Sequence, residues 1–219
     1  RTAQLAMTKE PFNLQRRALS LATAILFSLA LSIDYLAQHP EFIPTLAQET
    51  LDHYRHILCE ETLETRCGKL RSHLHTDSLP LALVASAEGE LLGMGALREH
   101  DLPGHEQFTP WLGGMFVRPQ HRRRGVGVAI CHALEEKAWL ISFSILYLFT
   151  LDQQQLYARL GWQHLQPSPR LSHSVDIMFN DANRLTEGRQ ARLHLLAEAT
   201  DFAAVFWYCT LSHGNGPPV

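Results

Sequence analysis

The residues with the clearest chemistry lie in one run: Val117-Arg118-Pro119-Gln120-His121-Arg122-Arg123-Arg124-Gly125-Val126-Gly127. A β-rich apolar stretch leads into a basic, glycine-containing turn, and a helix begins near Val126. Such a turn aims several backbone N–H groups at one spot, and the positive end of the helix dipole points there as well, which makes an anion site. Gly125 and Gly127 let a bulky phosphate approach the backbone without meeting a Cβ. Arg122, Arg123 and Arg124 add positive charge around it. Residues Arg122 to Val128 therefore read as a grip for a diphosphate-bearing ligand.

Spacing narrows the ligand. A P-loop would need Gly-Lys-Ser/Thr, and a dinucleotide fingerprint would need Gly-x-Gly-x-x-Gly; neither is present at this turn. The order here is Arg122-x-x-Gly125-x-Gly127 after Val117-x-Pro119. It resembles motif A of the GCN5-related N-acetyltransferases (GNAT family), which bind acetyl-CoA. A second segment points the same way. Ile145 to Phe149 reads as a buried strand, and Thr150-Leu151-Asp152-Gln153-Gln154-Gln155-Leu156-Tyr157-Ala158-Arg159-Leu160-Gly161-Trp162 follows it. Leu156 and Leu160 share a helix face, and Gly161 suits a helix C′ position in left-handed conformation. This segment resembles the family's motif B, and also the corresponding part of the actin-type N-terminal acetyltransferases.

The resemblance covers about residues 30–181 and carries expectations. It implies an α/β GNAT fold: a mixed central sheet with two splayed parallel strands, flanked by helices. It implies acetyl-CoA as cosubstrate, no metal, and an N-acetyltransferase that moves the acetyl group to a primary amine by direct attack. The acceptor would be a small molecule or a peptide N-terminus. The pantetheine arm would lie between strands Trp111–Val117 and Ile145–Phe149, with Met115, Phe116 and Val117 offering backbone groups to it. The acetyl carbonyl would sit near Gly114–Met115, and Tyr157 would donate a proton to the departing thiolate. An ordinary core tyrosine is the other reading of Tyr157. A non-catalytic acyl-CoA sensor is the alternative for the whole chain; it would keep the phosphate turn and have no use for Tyr157.

The amine must lose a proton, and Trp111 to Val117 holds no acid to take it. Glu99, His100 and Asp101 at the end of the preceding strand are the nearest candidates, Glu99 by chemical type and His100 by its unperturbed pKa. A plain polar loop is the competing interpretation of all three.

Length and composition fit one domain. A chain of 219 residues with 46% hydrophobic content can bury a full core, and a net charge of −3 argues against a nucleic-acid binder. Cys59, Cys67, Cys131 and Cys209 show no paired spacing, which suits a reducing compartment. His53-x-x-His56 and His73-x-His75 have ligand spacing, but no third ligand clusters with them.

These motifs need elements to hold them. Ile33–Leu36 reads as a strand, and His39-Pro40 opens a helix running to Leu51 or Leu58. Thr62 caps a second helix that reaches Leu74, with Leu63, Leu70 and Leu74 on one side. Leu81–Ala85 and Leu91–Leu97 form a hairpin about Glu88-Gly89. A loop runs from Glu99 to Thr109, Trp111–Val117 is a central strand, and Gly113-Gly114 marks a bulge or a close approach in it. Val126–Leu140 is the next helix, and Val175–Phe179 the last strand. Three regions result: an apolar extension over 1–29, the acetyltransferase domain over 30–182, and an extension over 183–219. Ala18–Ile33 is uncharged after Arg16-Arg17 and could be read as a signal or anchor; sixteen residues are short against the ~20 of a spanning helix. A cytoplasmic protein whose extension is amphipathic or dimer-forming, rather than membrane-bound, is the expectation, with Met7 a candidate start.

Overall fold

The computed structural model describes residues 30–55, 61–170 and 173–182. The elements are β1 (Leu31–Tyr35), α1 (Ile43–His53), α2 (Leu63–Arg71), β2 (Leu81–Ala87), β3 (Glu90–Arg98), β4 (Trp111–Val117), α3 (Val126–Leu140), β5 (Ile145–Thr150), α4 (Gln154–Arg159), β6 (Gln163–Arg170) and β7 (His173–Asp181). Seven strands make one sheet in the order β1-β2-β3-β4-β5-β7-β6. The chain divides into two units, Arg1–Asn180 and Asp181–Val219, and only Asp181 and Ala182 of the second are described.

Alternation along the strands sends side chains to both faces. Leu81, Leu83 and Ala85 of β2 pack with Leu92 and Leu97 of β3 against Val126, Ile130, Leu134 and Ala138 of α3. Ala82, Val84, Met94 and Ala96, from the same two strands, face Ile43, Leu46, Ala47 and Leu70 of α1 and α2. With helices on both faces, β2 and β3 are buried almost end to end. Each fully buried Leu or Ile on these faces contributes about 1.5–3 kcal/mol. A third cluster forms around Leu102, Trp111, Val175 and Ile177, with Phe108 stacked on Tyr147 at a centroid distance of 4.8 Å. It fixes the start of β4 and β5 and the loop between β3 and β4.

Local chemistry explains the boundaries. Glu88 and Gly89, both with positive φ, make the β2–β3 turn. Thr62 caps α2, its hydroxyl accepting from the Thr65 N–H at 3.2 Å. Gly161 ends α4 with φ +95°. Two expectations need correction. The helix after Thr62 stops at Arg71, because Leu74 leaves it to bridge Leu81. The buried stripe is Arg66 and Leu70, while Leu63 is 43% exposed. α1 ends at His53; the longer alternative to Leu58, the apolar extension before residue 30 and the tail from residue 183 lie outside the described residues. Among the described residues no helix is long and apolar enough to cross a membrane.

Candidate active site

β4 ends at Val117, a 3-10 turn spans Pro119–His121, and α3 starts at Val126 after Gly125 at φ +84°. The turn is braced from below. Arg118 forks onto Glu49 of α1, with Nη2–Oε1 at 2.8 Å and Nε–Oε2 at 3.0 Å, and also donates to the Leu91 carbonyl at 3.1 Å. His121 is buried, with Nε2 3.0 Å from Glu90 Oε1. The upper side is open: a Cβ on Gly125 would meet nothing within 4 Å. The backbone bond from Ala129 N–H to Gly125 O opens the helical ladder, at 3.0 Å. The amides of Val126, Gly127 and Val128 precede it and have no intrahelical acceptor. Arg122, Arg123 and Arg124 are exposed around them. An amide-lined concavity with a clear approach and three cations fits a diphosphate.

β4 and β5 run parallel and share one register pair, Trp111 with Tyr147; the Tyr147 N–H donates to the Pro110 carbonyl at 3.0 Å. The β4 residues beyond that pair have no ladder partner in β5. On its other side β4 follows β3 with a shift: Met94 faces Phe116 and Ala96 faces Gly113. Gly114 and Met115 thus stand opposite Gly95 alone, and Gly114 takes φ +61°. This is the bulge anticipated from the glycine pair. A residue that the sequence reading passed over meets it. Tyr54, just past the end of α1, donates its hydroxyl to the Met115 carbonyl.

A polar chain reaches the same place from β3. Lys69 O accepts from His73 Nδ1 at 2.6 Å, His73 Nε2 accepts from Arg98 Nε at 3.1 Å, and Arg98 Nη1 pairs with Asp101 Oδ1 at 2.5 Å. Asp101 and Arg98 fill the space that β4 leaves empty. A Cβ on Gly113 would collide with Asp101 Oδ2, and one on Gly114 would lie 2.7 Å from Arg98 Nη2. Of the three loop candidates only Asp101 approaches the bulge; Glu99 and His100 are exposed. Arg98 carried a signal that was missed, a cation directly after the apolar run Leu91–Leu97, in register with Trp111. His73, flagged for metal spacing, has both ring nitrogens engaged, and His75 Nδ1 lies 2.9 Å from the Pro80 carbonyl oxygen.

Tyr157 sits on α4 with its ring edge toward Trp162 at 6.0 Å, against the core under α3. Burial raises its pKa well above the usual phenol range, and the nearby Cys131 and Tyr54 add to the rise. No hydrogen bond to its hydroxyl is found among the described residues. Cys131 is buried, and burial with the neighbouring Glu135 pushes its thiol up, which disfavours the thiolate form.

A family model decides the identity: the acetyltransferase (GNAT) family model matches residues 43–162. The chain belongs to the GNAT acetyltransferase family. Acetyl-CoA is that family's cosubstrate, and this chain's turn has the open, amide-lined form a diphosphate needs. Solved structures with the same fold include a GCN5-related N-acetyltransferase from Kribbella flavida, 17% identical, at a TM-score of 0.57, covering 70% of this chain and 99% of that one. Another is the ribosomal-protein-alanine N-acetyltransferase of Brucella melitensis, 17% identical, at 0.55, covering 68% and 99%. A third is the yncA protein of Salmonella typhimurium with its cofactor acetyl-CoA, 14% identical, at 0.53, covering 70% and 94%. At these identities the likeness is one of fold. No curated protein matches the chain.

The chain of contacts in this GNAT site has a measurable signature. Burial, followed by the charge of Arg98, lowers the His73 pKa from 6.5 to about 4. The ring is neutral when folded and protonates more readily when unfolded. Its contribution is therefore whole above pH ~6.5 and is lost as pH falls toward 4, by about 3 kcal/mol. Urea unfolding at pH 7 and pH 4.5 should show that loss. His73→Gln, which keeps an acceptor for Arg98, should flatten the slope; an unchanged slope would assign the acid sensitivity to other groups.

Proposed function

We propose that this acetyltransferase moves the acetyl group of acetyl-CoA to a primary amine by direct attack, with Asp101 as proton acceptor and Tyr157 as proton donor. The carrying observation is the Asp101 carboxylate lying against Gly113, beside the bulge, where β4 itself supplies no acid. Acetyl-CoA supplies an activated acyl group as a thioester. The chain's own groups do the rest. The amides of Val126, Gly127 and Val128 and the arginines Arg122–Arg124 hold the diphosphate. The backbone of Met115, Phe116 and Val117 lines the parted strands, although the Met115 carbonyl is already engaged by Tyr54. A carbon–nitrogen bond forms as the carbon–sulfur bond breaks. The amine proton passes to Asp101, directly or through water, and the sulfur takes one from the Tyr157 hydroxyl. Burial holds that hydroxyl in its protonated form, and the same burial makes it a weak acid, so its donation depends on the charge that develops on the sulfur. Glu99 and His100, on the exposed rim of the same loop, are left with at most an indirect part. The cytoplasm, where acetyl-CoA is present, goes with this reading.

A thiol-release assay with acetyl-CoA against peptides, polyamines and aminoglycosides tests the transfer. Tyr157→Phe keeps the ring and its packing and removes only the hydroxyl. Its loss should fall on kcat, by ~10- to 10³-fold, with acetyl-CoA affinity nearly intact. A variant of lowered Tm with normal turnover at low temperature would make Tyr157 a core residue and nothing more.

A further inference from the structure

We propose that Arg98 and Asp101 form a recognition pair for an α-amino acyl group, so that the acceptor carries a carbonyl or carboxylate next to its amine. This rests on the acetyl transfer proposed above and names its substrate class.

The pair offers one unused donor beside one unused acceptor. Arg98 spends Nε on His73 and Nη1 on Asp101 Oδ1. Nη2 lies over Gly114 with no acceptor found among the described residues, and Asp101 Oδ2 lies over Gly113 with no donor found. Two consecutive glycines thus expose a guanidinium N–H and a carboxylate oxygen side by side. In an α-amino acyl group the amine nitrogen and the carbonyl carbon are both bonded to one Cα. Its N–H groups suit Oδ2 while its carbonyl oxygen suits Nη2. An alkylamine would engage Oδ2 and leave the Arg98 donor unpaired, which costs free energy in a shielded site. The site is shielded: the two side chains are 21% and 13% exposed. It is also rigid, because His73 is itself pinned to Lys69 O and holds the plane of the guanidinium.

Basicity argues the same way. The group lying over the glycine pair is a carboxylate, and the imidazole behind it, His73, has both nitrogens engaged. A weak base serves best an amine that is already largely neutral. The α-amino group of a peptide titrates near ~8 and lysine near ~10.4, so near neutral pH the neutral fraction differs by roughly two orders of magnitude; in a free amino acid the adjacent carboxylate removes most of that advantage, which places a peptide terminus ahead on this count. Polyamines and lysine side chains have the wrong basicity and lack the adjacent carbonyl; the amines of aminoglycosides lack the carbonyl as well.

The test compares trialanine, free alanine, isopropylamine (alanine with a methyl in place of its carboxyl group), spermidine and Nα-acetyl-lysine methylamide, each at equal concentration of neutral amine. Trialanine or alanine should exceed the other three in kcat/KM by roughly 10²-fold or more. Arg98→Lys keeps the charge and loses the fork. It should raise the KM of the preferred acceptor by about 10-fold or more; any loss through the placement of Asp101 falls on every acceptor alike, so the ratio of trialanine to isopropylamine in kcat/KM should drop by about 10-fold. Calorimetric acetyl-CoA affinity reports whether the variant is folded, and Arg98→Gln serves in its place if it is not. The ratio of trialanine to alanine distinguishes a peptide terminus from a free amino acid. Isopropylamine or spermidine used as well as trialanine would overturn the pair while leaving acetyl transfer standing. An equal loss on every acceptor in a folded Arg98→Lys would do the same. Bound acetyl-CoA with no thiol release for any amine would remove the transfer reading itself, and this inference with it.

Discussion

Gly125→Glu is expected to remove measurable acetyl-CoA binding from a protein that still folds. The position is left-handed, φ +84°, and a Cβ there meets no atom within 4 Å. A side chain therefore strains the backbone without striking a neighbour, at a cost of about 1–2 kcal/mol. For a domain of this size that is a drop of roughly 2–8 °C in Tm. The effect on the ligand is far larger. The new carboxylate stands beside the amides of Val126 and Gly127 that would hold the diphosphate, and a like charge at ~4 Å costs about 4 kcal/mol at the effective dielectric of a protein surface. That corresponds to about 10³-fold in affinity before any steric loss. Gly125→Ala separates the terms, since it carries the strain without the charge and should bind within about tenfold of the parent. Calorimetry on both variants checks this. Unchanged affinity in folded Gly125→Glu would put the diphosphate elsewhere.

Asp101→Asn should lower kcat/KM by about 10²- to 10⁴-fold at neutral pH and leave acetyl-CoA affinity alone. Asparagine keeps the size of the side chain and an oxygen for Arg98 Nη1, so the network of His73 and Arg98 can persist. What it loses is an anionic oxygen facing the bulge. The deficit should shrink as pH rises toward the pKa of the acceptor amine, because the solvent then removes the proton unaided. Glu99→Gln and His100→Gln, at exposed positions, should stay within about twofold of the parent. A pH profile of Asp101→Asn superimposable on the parent's would move the base to the substrate or to bulk water, and a large loss in Glu99→Gln would return it to the exposed rim.

The parts of this site that could be read in the sequence are those governed by local rules. The turn at Gly125 was legible because only certain residues permit positive φ and a close phosphate approach. The limits of β4 and α3 followed from hydrophobic period and turn residues, and Gly161 from the demands of a helix end. Gly113-Gly114 was legible as an irregularity. What fills the space above it was not, because Asp101 arrives from twelve positions upstream on a loop and no spacing rule links the two. Tyr54 was silent for the same reason: its partner, the Met115 carbonyl, is 61 residues away. His73 looked like a stray ligand, and Arg98 belonged to no motif, until the fold joined them. The overestimate of α2 was different in kind. Apolar spacing continued through Leu74, but the bridge to Leu81 outweighed it.

The placement of Asp101 has a consequence for how such a protein diversifies. A side chain on a central strand is bound to the register of its neighbours, so altering it disturbs the sheet that holds the cosubstrate. Here the strand contributes bare backbone, and the carboxylate proposed as base comes from the β3–β4 connection, which Leu102 and Phe108 anchor but whose exposed positions accept substitution more readily than a strand does. On the proposed mechanism, donor handling and acceptor choice fall to separate pieces of chain. A descendant could exchange one amine for another by rewriting the exposed positions between Glu99 and Thr109, with Leu102 and Phe108 kept, while the turn at Gly125 stayed as it is.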